Sequence, residues 1–196
     1  EYKRKVYDED WYLGETFDAA IGQSFTLVTP LQMAVLLSEV ANGGIKYKPY
    51  VVSRIDNKDG TPKEIFGPDK LGILPVPKNI MDLIREGLRD VTSEGGTAGE
   101  LFKGFPVAVA GKTGTAENAH GRDHGWFVAY APYDKPQIVV VALVEQGGFG
   151  AGSAGPIVRD ILSAYFKVPT SSSKTTDTKT TTNKKETQEI KPSVKE

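Results

Sequence analysis

The 196-residue chain has no cysteine, two histidines and no long apolar run. Without cysteine it forms no disulfide and has no thiolate chemistry. Its longest apolar run, residues 138–144, is far too short to cross a bilayer. No secretory signal peptide is visible.

The sequence also lacks an excess of charge of one sign. It has 24 Lys and Arg against 25 Asp and Glu, a net charge of −1. A nucleic-acid-binding surface is therefore not favoured, because such proteins usually carry a basic excess. Hydrophobic residues make up 39% of the chain, which is enough for a sizeable core.

The end of the chain differs from the rest in composition. Residues 169–196 are rich in Thr, Ser and Lys and hold almost no apolar side chains. Such a segment cannot offset the entropy lost on ordering, so we predict a disordered tail. Residues 1–168 are then the folded part.

Two helices are predicted in the first part of the chain. Thr29 is a suitable N-cap, with Pro30 at the first helical position and Gln32 completing a capping box. The glycines at 43–44 should end this helix. Apolar residues at helical spacing predict a second helix within residues 77–96.

Strands are predicted to dominate the second part. Residues 107–115, 125–131 and 137–145 read as three strands, the last two forming an antiparallel hairpin. A hairpin is predicted around residues 59–60, and a closing helix over 154–166. We therefore predict an α+β fold, with an antiparallel sheet packed against helices.

Two glycine-containing stretches resemble nucleotide-binding motifs. "VAVAGKT" ends like a phosphate loop, but Pro106 stands where the first glycine belongs and no helix pattern follows. "GAGSAG" (150–155) matches G-x-G-x-x-G, but no second parallel strand follows it. We interpret the second stretch as a loop that turns the last helix onto the sheet.

His120, Asp123 and His124 raise the question of a metal site. The chain has no further histidine or cysteine to complete a zinc shell, and the segment reads as a loop. We interpret them as polar loop residues and predict no metal and no cofactor.

The stretch "KTGT" offers a different chemistry. Strand alternation sends Lys112 and Gly114 to one face and Thr113 and Thr115 to the other. A cation and two hydroxyls around a strand edge suit an extended peptide that ends in a carboxylate, and Gly114 leaves room for close backbone approach. The alternative is a glycine-containing strand with incidental polar residues.

The surrounding sequence resembles class B penicillin-binding proteins, most closely the penicillin-binding protein 2 type. The K-T-G element is shared with serine β-lactamases. The resemblance covers about residues 1–166 and is carried by "WYLGETFDAAIGQSFTLVTPLQMAVLLSEVANGG", "GGTAGE", "GKTGTAE", "DHGWFVAYAP" and "EQGGFGAGSAGPIVRDIL". Ser24 departs from it, since the pattern leads us to expect glycine there.

The resemblance implies a peptidoglycan D,D-transpeptidase that acts through a serine acyl-enzyme and is trapped by β-lactams. Lys112 would support the site electrostatically, and Thr113 and Thr115 would bind the carboxylate of the donor peptide. The Thr115 N–H would form half of an oxyanion hole. We expect His124 and Trp126 to lie at the mouth of the groove.

The resemblance also implies the setting of the protein. The fold would be the C-terminal portion of the serine transpeptidase/β-lactamase-like fold. The partners would be D-Ala-D-Ala stem peptides, β-lactams and a membrane glycosyltransferase of the elongation machinery. The site would face the extracytoplasmic side of the bacterial cell membrane, anchored by a segment outside this chain.

The nucleophile motif of the family is missing. The only S-x-x-K runs from Ser171 to Lys174 in the predicted tail, and no S-x-N is present. We therefore expect the C-terminal part of a longer transpeptidase, inactive by itself. A non-catalytic binding or sensor module remains an alternative, and the flanking sequence argues against a β-lactamase or carboxypeptidase.

Overall fold

The computed structural model describes residues 1–168, so the predicted tail lies outside the described residues. The fold is α+β, as predicted. Its elements in chain order are α1 (Tyr2–Tyr7), α2 (Leu13–Ala20), α3 (Pro30–Ala41), β1 (Ile45–Tyr47), β2 (Arg54–Asp56), β3 (Pro62–Ile65), β4 (Lys70–Ile73), α4 (Lys78–Val91), α5 (Gly99–Phe102), β5 (Ala110–Ala116), β6 (His124–Ala131), β7 (Ile138–Val144) and α6 (Gly150–Phe166).

The central sheet has three antiparallel strands in the order β5-β6-β7. The β5–β6 register runs without interruption from the pair Ala110–Tyr130 to the pair Ala116–His124. Strand β7 pairs along the other side of β6. The three predicted strands and the predicted β6–β7 hairpin are thus confirmed, and β5 is left with a free edge in the described part of the chain.

Strand β5 begins at Ala110 rather than at residue 107, because other groups bind the backbone before it. The carbonyl of Ala108 accepts a hydrogen bond from the N–H of Tyr133 at 2.8 Å. The carbonyl of Val109 accepts from Arg89 at 3.1 Å and also from the hydroxyl of Thr92. The contacts of Val109 tie the start of β5 to the end of α4, and that of Ala108 ties it to the turn between β6 and β7.

The sheet is buried on both faces. Alternate side chains of β6 point to opposite sides, so Phe127 and Ala129 join the cluster under α5 and α6, while Val128 and Tyr130 join the cluster under α3. Phe127 and Tyr130 are both completely buried. The near-continuous apolar sequence of β6 follows from this two-sided burial.

Both helices predicted in the first part are confirmed. The N–H of Thr29 donates to the side chain of Gln32 at 2.8 Å, and the N–H of Gln32 donates to the Thr29 hydroxyl at 3.2 Å. Gly43 follows the helix with φ +83°, a left-handed conformation that glycine favours. The second helix is α4.

Two small two-stranded sheets lie between these helices. The predicted hairpin around Asp59 and Gly60 is confirmed as β2 paired with β3. The antiparallel pair β1–β4 was not predicted, since its strands are short and distant in sequence. No helix among residues 1–168 combines the length and the apolar character needed to span a membrane.

The prediction of a loop for "GAGSAG" is wrong, because α6 already begins at Gly150. Its glycines let the helix press against the sheet. A methyl group on Gly150 would overlap with the carbonyl oxygens of Trp126 and Gly114. A methyl group on Gly155 would come within 2.6 Å of Leu101. Close packing of α6 against the sheet and against α5 explains Gly150 and Gly155 without a nucleotide.

The N-terminal helices are joined through Lys3, which is 4% exposed. Its ammonium lies 2.6 Å from the Glu15 carboxylate and 3.1 Å from that of Glu9, and stacks 3.8 Å above the ring centre of Tyr12. Burial acts to raise the pKa of Glu15. The hydrogen bonds from Lys3 and from the backbone of Tyr12 outweigh it and hold that pKa below its ordinary value.

We predict that Gly150→Ala lowers the free energy of unfolding by about 3 kcal/mol, because α6 must move away from the sheet. Gly152 has open space at its Cβ position. Gly152→Ala in the same helix should therefore raise stability by about 0.5–1 kcal/mol. Denaturant unfolding of both variants measures the difference, and equal effects would contradict the packing argument.

We predict that Glu15→Gln lowers the thermal midpoint at neutral pH. A lowered folded pKa means that Glu15 stabilises the fold above the unfolded carboxyl pKa of about 4.3, and that this contribution is lost as the pH falls through the folded value. The difference from the unmodified chain should therefore vanish in acid. Glu1→Gln is the control, since Glu1 pairs with Lys5 in solvent. A midpoint difference that persists at low pH would argue against this account.

Candidate functional site

Strand β5 carries the whole "KTGT" stretch. Lys112 pairs with Val128, and Gly114 pairs with Trp126, within an unbroken ladder. The chain stays extended to Ala116 and enters no helix after the lysine, so a phosphate loop is excluded. Lys112 is exposed, and the three residues after it are partly exposed. The stretch is therefore accessible on a strand, as predicted.

Lys112 has no acidic partner among residues 1–168. Its ammonium donates to the carbonyl oxygen of Thr113 at 2.7 Å, which folds the side chain along the strand edge. An ammonium has three donors, so two remain for a ligand. The edge thus carries a positive charge that no carboxylate of the described chain neutralises.

The two threonines and the lysine lie on opposite faces of the sheet. Cross-strand pairing places Lys112 and Gly114 on the face of Trp126 and Val128, and Thr113 and Thr115 on the face of Phe127. The ammonium and the hydroxyls can meet one ligand only around the free edge of β5.

Gly114 is needed for packing inside the sheet. A methyl group at this position would lie 3.1 Å from the Cβ atom of Trp126, tighter than ordinary contact. Trp126 therefore lies across the strand directly beside Gly114. The structure brings these two predicted site residues together.

His124 begins β6 opposite Ala116, next to the loop that joins β5 and β6. Its Nδ1 accepts a hydrogen bond of 3.0 Å from the N–H of Gln146, after the end of β7. This contact joins the start of β6 to the turn after β7 and gives His124 a structural role. Its predicted contact with a ligand stays a prediction.

Sequence reasoning missed Gln23 as a site residue. Its side chain donates to the carbonyl of Thr115 at 3.0 Å and accepts from the N–H of Glu117 at 3.3 Å. It thereby occupies the free edge of β5 just beyond the "KTGT" stretch. The only signal in the sequence is the resemblance of "IGQ" to the family pattern, which assigns it no contact.

The sequence profile of the penicillin binding protein transpeptidase domain matches residues 3–163. The chain belongs to this family. It is 32% identical over 185 residues to the peptidoglycan D,D-transpeptidase MrdA of Haemophilus influenzae, covering 85% of this chain and 28% of that protein. The chain thus spans little more than a quarter of the length of this curated transpeptidase.

Solved structures show the same likeness. One describes the structural coordination of polymerization and crosslinking by a peptidoglycan synthase complex; it is 38% identical with a TM-score of 0.73, covering 87% of this chain and 28% of that one. The imipenem acyl-enzyme complex of penicillin-binding protein A from M. tuberculosis is 31% identical with a TM-score of 0.66, covering 76% and 33%. The resemblance and the fold class predicted from the sequence are confirmed.

Ser24 has a strained backbone conformation. Ser24, where glycine was expected, has φ +61°. This left-handed conformation costs a residue with a Cβ roughly 1–2 kcal/mol, and glycine avoids that cost.

We predict that Ser24→Gly stabilises the fold by about 0.5 kcal/mol, because relief of the strain exceeds the added entropy of the unfolded chain. Ser24→Ala keeps the Cβ atom and should give no gain. Denaturant midpoints compare the two, and a gain for alanine equal to that for glycine would contradict the strain argument.

Proposed function

We propose that the protein to which this chain belongs is a peptidoglycan D,D-transpeptidase that cross-links stem peptides through a serine acyl-enzyme. The observation that carries this proposal is the accessible edge of β5, where the Lys112 charge lies beside backbone N–H groups that have no acceptor within residues 1–168. A transpeptidase must hold a peptide that ends in a carboxylate, and an edge with these groups is suited to it.

Each residue of the edge has a separate task in this proposal. Lys112 attracts the carboxylate of the D-alanine terminus and biases nearby hydroxyls. Thr113 and Thr115 donate hydroxyl hydrogen bonds to the same carboxylate. Gly114 keeps the strand free of a side chain where the ligand passes, with Trp126 beside it and His124 at the end of the groove.

The Thr115 N–H is proposed to stabilise the oxyanion that forms when a serine attacks the donor carbonyl. A preorganised donor of this kind typically contributes on the order of 3 kcal/mol. The edge position of Thr115 supports this role, because its N–H is not needed for pairing with β6.

The nucleophile is proposed to lie outside this chain. A serine nucleophile needs a fixed lysine beside it, and the single S-x-x-K at Ser171 lies outside the described residues. This chain would therefore supply one wall of the cleft and be inactive alone. A non-catalytic module that binds the same peptide is the second candidate, favoured by the absence of S-x-N.

The setting of the reaction is proposed from the relatives. A related protein forms an acyl-enzyme with imipenem, which supports β-lactam binding here. Another relative is part of a peptidoglycan synthase complex, which supports a glycosyltransferase partner. The proposed location is the outer face of the bacterial cell membrane, where the proposed substrate lies.

We predict that Lys112→Ala in the full-length protein slows acylation by a fluorescent penicillin by about 10²-fold or more, because the carboxylate loses the Lys112 ammonium. Lys135→Ala is the control, since Lys135 is exposed in the turn between β6 and β7. The thermal midpoint should be unchanged in both. Gel fluorescence over time measures the rates.

The fluorescent penicillin should not label the isolated 196-residue chain at all. Covalent labelling of it would contradict a nucleophile outside the chain. If the full-length protein binds the fluorescent penicillin reversibly and is not acylated, the non-catalytic module is favoured.

A further inference from the structure

The side chain of Gln23 binds β5 as a residue of a neighbouring strand would. Its amide donates to Thr115 and accepts from Glu117, two positions further along the same edge. A residue of a parallel neighbouring strand makes this same pair of bonds, because it donates to the carbonyl of one residue and accepts from the N–H two positions further on, whereas an antiparallel residue exchanges both bonds with a single residue. One side chain therefore closes the edge after Thr115, at a distance of 92 residues in sequence.

The contact also reveals how the Thr115 peptide group is oriented. In a β-strand the N–H and C=O of one residue point to the same side. Since the Thr115 carbonyl points to Gln23, the Thr115 N–H faces the free edge as well. By the same alternation the backbone N–H and C=O of Thr113 also point to this edge. The carbonyl of Thr113 already accepts a hydrogen bond from the Lys112 ammonium.

The open part of the edge is therefore rich in donors. The carbonyls of Thr113 and Thr115 each hold a donor from a side chain. No acceptor outside the sheet binds the N–H of either residue in the described structure. An edge with occupied carbonyls and free N–H groups favours a ligand that presents oxygen atoms over a complete added strand.

The position of Gln23 is set by the end of α2. The N–H of Gly22 donates to Ala19 at 3.0 Å, and the N–H of Gln23 donates to Asp18 at 2.9 Å. With φ +79° at Gly22 this is a Schellman motif. The ion pair between Lys3 and Glu15 anchors the same helix. Gln23 therefore extends from a fixed helix end.

We infer that Gln23 is a positioning residue for acylation: its amide ends the docking edge at Thr115 and holds the Thr115 N–H toward the oxygen of the ligand. This inference depends on the proposed transpeptidase function. Gln23 touches the strand and not the reacting atoms, so its loss should disturb the chemical step more than the first binding of the ligand.

The test compares Gln23→Met with Gln137→Met in the full-length protein. Methionine keeps the length of the side chain and loses both hydrogen bonds. Gln137 lies just before β7, and its side chain makes no hydrogen bond within residues 1–168. Stopped-flow kinetics with a fluorescent penicillin separate the dissociation constant of the first complex from the acylation rate constant.

We expect Gln23→Met to lower the acylation rate constant about tenfold, while the dissociation constant changes less than about twofold. The thermal midpoint and the kinetics of Gln137→Met should match the unmodified protein. Gln23→Glu keeps the acceptor for the Glu117 N–H but presents a carboxylate to the Thr115 carbonyl. It should acylate as slowly as Gln23→Met.

Hydrogen–deuterium exchange resolved to single amides gives a readout independent of acylation. The Glu117 amide should exchange about ten times faster in Gln23→Met and stay protected in Gln23→Glu, and the Thr115 amide should exchange fast in all three proteins. Unchanged exchange of the Glu117 amide in Gln23→Met would overturn the inference that Gln23 closes the edge of β5.

The kinetic outcomes distinguish the positioning role of Gln23 from the proposed transpeptidase function. Normal acylation of Gln23→Met, or a loss matched by a fall in thermal midpoint, overturns the positioning role alone. Absence of acylation in the unmodified protein overturns the proposed function, and the role of Gln23 in acylation with it.

Discussion

Within residues 1–168, strand β5 pairs with another strand along one side only. The candidate site lies along its other side. The paired side fixes the strand against β6 through seven consecutive residue pairs. The free side exposes backbone N–H groups beside the Lys112 ammonium. A carboxylate or a developing oxyanion fits such an edge, because donors and positive charge are already in place before the ligand arrives.

A free edge is useful for binding only if the strand cannot shift. Strand β6 is packed on both faces, and glycines bring α6 into direct contact with the backbone of β5 and β6. At one end, Arg89 and Thr92 hold the carbonyl of Val109; at the other, Gln23 holds Thr115. The site is thus a short accessible stretch between two fixed points.

The features predicted from the sequence are those that depend on near neighbours in the chain. The capping box of Thr29 and Gln32 spans one helical turn, and the alternation of β6 is read from adjacent residues. The start of β5 and the helical state of "GAGSAG" were missed, because distant groups decide them. Ala108 is bound by Tyr133, and Gly150 is helical where α6 meets the sheet.

The sequence by itself determined the family, the strand that carries Lys112 and the faces to which its side chains point, since motif, period and cap are local properties. Only the tertiary structure decided that Gln23 closes the edge of β5 after Thr115, that Trp126 packs beside Gly114, and that His124 joins the start of β6 to the turn after β7. These contacts join residues far apart in the chain, and no local pattern encodes which of them meet.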